Sequence, residues 1–154
     1  LVQDGVPILG VIDQPVLGER WIGAAGADTT FNGEPVKTRT CPELDHAVLN
    51  TTSPDLFAGE DAARFGRMRN SVWQTQYGGD CYAYGLVASG FIDLVVEAGL
   101  KPYDFSALIP VVRGAGGAVS DWNGEAITLA SDGRIIAAGD PALLPQAVEI
   151  LTSS

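Results

Sequence analysis

Sulfur, histidine and positive charge are what this chain has least of. Two cysteines in 154 residues, Cys41 and Cys81, stand far apart with no CxxC or Cys/His spacing. That excludes a disulfide framework or a zinc-finger pattern and reads both as buried free thiols in a reducing, cytoplasmic setting. His46 is the only histidine; beside Asp45 and with no second imidazole, it reads as a surface or helix-start residue, not a base. Nine basic residues against nineteen acidic ones leave a net charge of −10, which repels a phosphate backbone and argues against nucleic-acid binding. No stretch approaches the roughly 20 apolar residues a membrane helix needs, and the start, Leu1-Val2-Gln3-Asp4-Gly5, lacks the basic flank of a signal peptide. A Gly-x-Ser-x-Gly elbow is also missing, which sets aside Ser-His-Asp hydrolysis.

What is present suits a compact protein with one good core: 46% of the residues are hydrophobic, and nineteen glycines supply tight turns. Residues 1–3, 7–13 and 19–24 read as strands joined by turns at Asp4-Gly5 and 15–18, and Asn32-Gly33 centres a short hairpin that ends at Thr38. This opening predicts antiparallel sheet without a covering helix. After a break near 38–45 the pattern alternates. Strands are predicted over 47–52, 71–76, 92–97, 118–121 and 135–138, and helices over 55–68, 82–90, 105–114 and 141–151. In the first helix Leu56, Phe57, Ala62 and Phe65 are expected to face the core, and Trp21, Trp73 and Trp122 to serve as core or cleft-wall aromatics, since no basic residues interleave with them. The fold class is therefore α/β, with the end of an antiparallel sheet over 1–40 followed by a layered α/β domain over 41–154.

The chemistry gathers in the second part. The apolar strand 92–97 delivers Glu97 to its end, Pro102 breaks the loop that follows, and Asp104 is expected to cap an apolar helix. Ligands of open α/β sheets collect beyond the carboxyl ends of strands, so Glu97 and Asp104 are expected to face one cleft. Gly78-Gly79-Asp80, between a strand and a helix, suits a polar ligand because the first amides of a helix are unpaired and glycine lets a ligand approach closely. Thr51, Thr52 and Ser53 place hydroxyls at a similar strand end, where an ordinary Ser/Thr turn accounts for them equally well.

The stretch from Asp93 through Tyr103-Asp104 to Arg113-Gly114-Ala115-Gly116-Gly117 resembles the C-terminal signature of the inositol monophosphatase superfamily. With Leu100-Lys101-Pro102 before the Tyr-Asp pair and Ser120-Asp121-Trp122 after it, the likeness is greatest to the bacterial branch that hydrolyses histidinol phosphate. Residues 1–39 resemble the stretch that follows that family's Asp-Pro-x-Asp-Gly-Thr motif. Neither that motif nor the family's Glu-Glu pair occurs here. The resemblance thus implies the C-terminal part of a family member, short by roughly 100 residues, and an isolated chain without useful turnover. It further implies a Mg2+-dependent phosphomonoesterase of histidine biosynthesis. Asp104 would be a metal ligand, and Gly78, Gly79, Asp80 and Glu97, with Asp104, would bind substrate. Expected partners are a phosphorylated small molecule and either a second copy in a homodimer or the missing N-terminal part, with no nucleic acid and no membrane. Alternatives are an inositol-, sugar- or phosphoadenosine-phosphate phosphatase of the same superfamily, or a non-catalytic binding or assembly subunit.

Overall fold

The computed structural model describes residues 1–153 and arranges them as helices and sheets in alternating layers. Strands β1 (Val2–Gln3) and β2 (Val6–Pro7) form a small hairpin ahead of β3 (Leu9–Gln14) and β4 (Glu19–Ala24). Strands β5 (Thr30–Phe31) and β6 (Glu34–Pro35) extend this antiparallel sheet in the order β3-β4-β5-β6. A connection over 36–47 leads to the second sheet. It contains β7 (Val48–Thr51), β8 (Gln74–Tyr77), β9 (Leu94–Glu97), β10 (Ala118–Ser120) and β11 (Ile135–Ala138), in the order β10-β11-β9-β7-β8. Within it β7 runs parallel to β8 and β9, while β11 pairs antiparallel with β9 and β10 pairs antiparallel with β11. The helices are α1 (Glu60–Asn70), α2 (Cys81–Ala88), α3 (Pro102–Phe105), α4 (Leu108–Gly114) and α5 (Leu143–Thr152).

Alternation along the strands of the second sheet builds both of its faces. Leu49, Leu94, Val96, Ile136 and Ala138 pack with Phe65 and Met68 of α1 and Leu143, Ala147 and Leu151 of α5. Val95, Ile135 and Ala137 point the opposite way, into a cluster with α2 and α4 that also takes in Ile12 and Trp21 from the first sheet. Helices α2 and α4 are thus sandwiched between the two sheets. Trp21 is fully buried there and donates its indole N–H to Ser89 Oγ at 2.8 Å, which satisfies the one polar atom of a large apolar side chain.

Two glycines set how closely these layers meet. Gly10 and Gly23 are register partners on β3 and β4. A Cβ on Gly10 would lie 1.9 Å from the Ala107 carbonyl oxygen, and one on Gly23 would lie 2.4 Å from that of Pro110. The start of α4 therefore rests directly on sheet backbone. The connection is pinned at Asp93, whose fully buried carboxylate accepts Val48 N–H at 2.8 Å and two guanidinium N–H groups of Arg39. That hydrogen bond holds Arg39 more firmly protonated than usual.

Several expected elements shift for identifiable reasons. The helix expected over 105–114 is two short ones, because Pro110 has no N–H to give Ser106 and is tolerated only in the first turn of a new helix. The helix expected over 55–68 begins at Glu60, with Gly59 at φ 58° as its N-cap; Pro54–Leu56 form a separate turn closed by Phe57. Phe57 and Phe65 reach the core as expected, whereas Leu56 and Ala62 are exposed. Trp73, expected as a core or cleft-wall residue, is 68% exposed just before the edge strand β8. Cys41 is buried, but Cys81 is exposed at the head of α2. His46 lies on the surface, as expected.

Candidate functional site

The three parallel strands end side by side, and their carboxyl ends furnish the site. Beyond β7 comes Thr52, beyond β8 the Gly78-Gly79-Asp80 turn, and β9 ends on Glu97. A cleft of about 320 Å³ collects the carboxylates of Asp80, Glu97 and Asp104, the hydroxyl-bearing Thr52, Tyr84 and Tyr103, and an apolar flank from Leu100 and Leu108. This is the crevice that parallel α/β sheets offer to ligands. A larger hollow of about 590 Å³ lies between β2, the loop after β4 and α4. Its lining is mostly aliphatic and glycine, and Asp28 is its only acid.

Glu97 is the most constrained group in the cleft. It is 3% exposed, and its carboxylate accepts the Thr52 amide at 3.2 Å and the Thr52 hydroxyl on Oε1, and the Tyr84 hydroxyl at 2.7 Å on Oε2. A buried carboxylate persists only when donors replace the water it has lost. Burial, and secondarily the Glu97 charge, push the Tyr84 phenol well above its ordinary value, so it stays a donor.

Asp80 reaches the cleft by a different route. Gly78, Gly79 and Asp80 all have positive φ, at 92°, 101° and 44°. Glycine takes such angles freely; aspartate does so at a cost. Asp80 stands at the N-cap of α2, yet its side chain accepts no capping hydrogen bond. The turn thus presents a carboxylate that is not spent on the helix. Gly78 and Gly79 shape this turn but do not line the cleft.

Asp104 is one turn into α3, not at its cap. The N-cap is Lys101, and Asp104 Oδ2 reaches back to accept the Lys101 amide at 2.7 Å. This corrects the N-cap expectation: Pro102 takes the first helical position, where its missing N–H costs nothing, and displaces the aspartate to the third. Asp104 also lines the cleft, and that hydrogen bond uses only one of its two oxygens.

The structure therefore brings Asp80, Glu97 and Asp104 together and leaves Gly78 and Gly79 behind them. Reading the sequence missed Tyr84 as a site residue. The available signal was a tyrosine at a core position of an apolar helix, since a buried phenol needs a hydrogen-bond acceptor. Among the described residues no group of three or more His, Cys, Asp or Glu side chains is placed to hold a metal ion.

Comparison with known proteins bears on this arrangement. The profile of the inositol monophosphatase family matches residues 1–154. The bifunctional phosphatase IMPL2 of Arabidopsis thaliana is 51% identical, the match covering 98% of this chain and 46% of that protein. The solved inositol monophosphatase of Zymomonas mobilis superposes with a TM-score of 0.96 at 50% identity, covering 99% of this chain and 60% of that one. A histidinol-phosphatase of Mycobacterium tuberculosis is 34% identical over 82% of this chain and 51% of its own length. The chain spans about half the length of the curated relatives it matches. These findings correct the placement nearest the histidinol-phosphate branch, because the relatives of about 50% identity are a bifunctional phosphatase and an inositol monophosphatase. The local Tyr103-Asp104 variant is outweighed by identity across the whole chain. The family match runs over all 154 residues, residues 1–39 included.

Proposed function

The chain belongs to the inositol monophosphatase family, and from that premise we propose that its cleft binds the alcohol part of an inositol or sugar phosphate in a phosphomonoesterase. The carrying observation is the meeting of Asp80, Glu97 and Asp104 at the carboxyl ends of three parallel strands. Carboxylates accept hydrogen bonds from ring hydroxyls, and Leu100 and Leu108 give an apolar flank against which a ring carbon face can lie.

Glu97 accepts one hydroxyl and fixes the rotation of the ring. Asp80 accepts a second from the opposite wall, and Tyr103, 83% exposed at the rim, covers the alcohol from solvent. Together they orient the ester so that its phosphate faces Asp104. Positioning of this kind lowers the barrier by removing rotational freedom before the reaction.

Family membership implies a divalent-metal-dependent mechanism. Mg2+ suits such a role because it prefers carboxylate oxygen and retains waters. Asp104 would hold one corner with its free oxygen, and the described residues add no cluster to complete a cage. They do not by themselves fit the ion, and what this chain supplies is recognition and orientation of the alcohol.

The test is an NMR titration of the purified chain with inositol 1-phosphate, glucose 6-phosphate and phenyl phosphate. We expect the two polyol esters to bind at least about tenfold more tightly than the phenyl ester, since even one hydroxyl–carboxylate hydrogen bond contributes about 1.5 kcal/mol. Glu97→Gln should erase most of that preference. Equal affinity for all three esters refutes the reading.

A further inference from the structure

We infer that Tyr84 is the positioning residue of the cleft: its hydroxyl, with the hydroxyl and amide of Thr52, fixes the carboxylate of Glu97 so that one acceptor position of Oε2 faces the substrate alcohol. This deepens the proposed reading and rests on it.

A carboxylate offers about four acceptor positions. Three are filled, two on Oε1 by Thr52 and one on Oε2 by Tyr84. The position left over is on Oε2, in a side chain that lines the cleft. The donors come from two different elements. Thr52 follows β7, which pairs in parallel with β9, while Tyr84 comes from α2, packed over the face of that sheet. With both oxygens held, the carboxylate has little rotamer freedom to lose when substrate binds.

Tyr84 is itself immobile. It is 1% exposed within the cluster that joins α2 to β9 and α4, and a tyrosine hydroxyl in the plane of a locked ring can be aimed in few directions. Without it, Oε2 would have two open positions and the carboxylate would be held only through Oε1 by Thr52, about which it could swing. Specificity would relax from one hydroxyl at a defined angle to any nearby donor. The phenol contacts no reacting atom; it acts through Glu97.

Two measurements test this, one independent of any substrate. In a crystal structure of Tyr84→Phe, the Glu97 carboxylate should rotate away from its native plane or occupy two orientations. A superposable Glu97 overturns the inference. In the same NMR titration, Tyr84→Phe should raise the Kd for inositol 1-phosphate about fivefold and leave that for inorganic phosphate within twofold. The double variant with Glu97→Gln should be no weaker than Glu97→Gln alone. A loss that affects both ligands equally, or effects that multiply in the double variant, overturns the inference and leaves Tyr84 a core residue only. If Tyr84→Phe does not fold, Thr52→Val makes the same test from the other side, with about twofold weaker inositol 1-phosphate binding and unchanged phosphate binding expected; no change overturns the inference. If the native protein discriminates no polyol ester, the proposed function fails, and the Glu97 geometry in the variant still decides the positioning.

Discussion

At Asp80 the chain accepts a backbone conformation that another residue would hold more easily. With φ 44° and ψ −132°, Asp80 sits where side chains cost about 1–3 kcal/mol. No capping hydrogen bond offsets that cost, so the compensation lies in putting a free carboxylate into the cleft. Asp80→Gly should therefore stabilise the fold by about 1 kcal/mol, allowing for the greater chain entropy of glycine when unfolded. That corresponds to a rise of about 2–4 °C in Tm for a chain of this size, accompanied by weaker binding of polyol phosphates. Calorimetry and the NMR titration check the two halves, and a lower Tm would show that Asp80 is a structural residue. Asp80 was legible in the sequence because two glycines precede it at a strand-to-helix turn. Its strain and Tyr84's grip on Glu97 were not, since both depend on side chains that meet only after α2 docks on the sheet.

The elements themselves were largely readable where local pattern and tertiary demand agree. Strand β11 lies where a short continuous apolar run stands, and the Asn32-Gly33 hairpin forms with both residues at positive φ. The misread helices are those in which one residue overrules periodicity, Pro110 in one case and Gly59 in the other. Invisible to periodicity altogether is the glycine pair that seats α4 on the first sheet. A methyl at Gly10 cannot share space with a carbonyl oxygen 1.9 Å away, and the obstacle is backbone, which cannot turn aside as a side chain does. Gly10→Ala should cost about 3 kcal/mol, at the upper end of overpacking penalties. Because α4 follows directly on α3, the carboxylate of Asp104 should shift with it. Chemical denaturation measures the first effect; loss of the Lys101–Asp104 hydrogen bond in a crystal structure of the variant shows the second. A variant as stable as the native chain would mean that the layers are not held in contact at this point.

For the molecule as a whole, the alkaline end of the pH scale is where the fold should yield. Ten net negative charges at neutral pH invite a divalent cation, but Asp104 offers one oxygen and no neighbouring cluster completes a site among the described residues. About 10 mM Mg2+ should shift Tm by less than about 1 °C, and a rise of several degrees would reveal a ligand set that the geometry does not show. Protons should matter more. Burial raises the thiol of Cys41 and the phenol of Tyr84 above their ordinary values, with nearby Asp93 and Glu97 adding to the effect; the hydrogen bond to Glu19 raises Tyr82. Each group keeps its proton in the folded state at a pH where the unfolded chain has released it. The stability that depends on these protons is complete below the unfolded values of about 8.5 for thiol and 10 for phenol. It drains away as pH rises from there towards the folded values, at about 1.4 kcal/mol per pH unit for each group still protonated. Tm should thus hold level up to about pH 8.5 and fall with increasing slope above pH 10. Tyr84→Phe should flatten that fall, since its ring has no proton to lose. Melting curves from pH 8 to about pH 11 for the native chain and the variant separate the cases: parallel declines would mean that the phenol releases its proton in the folded chain as readily as in the unfolded one, and that its hold on Glu97 is weaker than the packing requires.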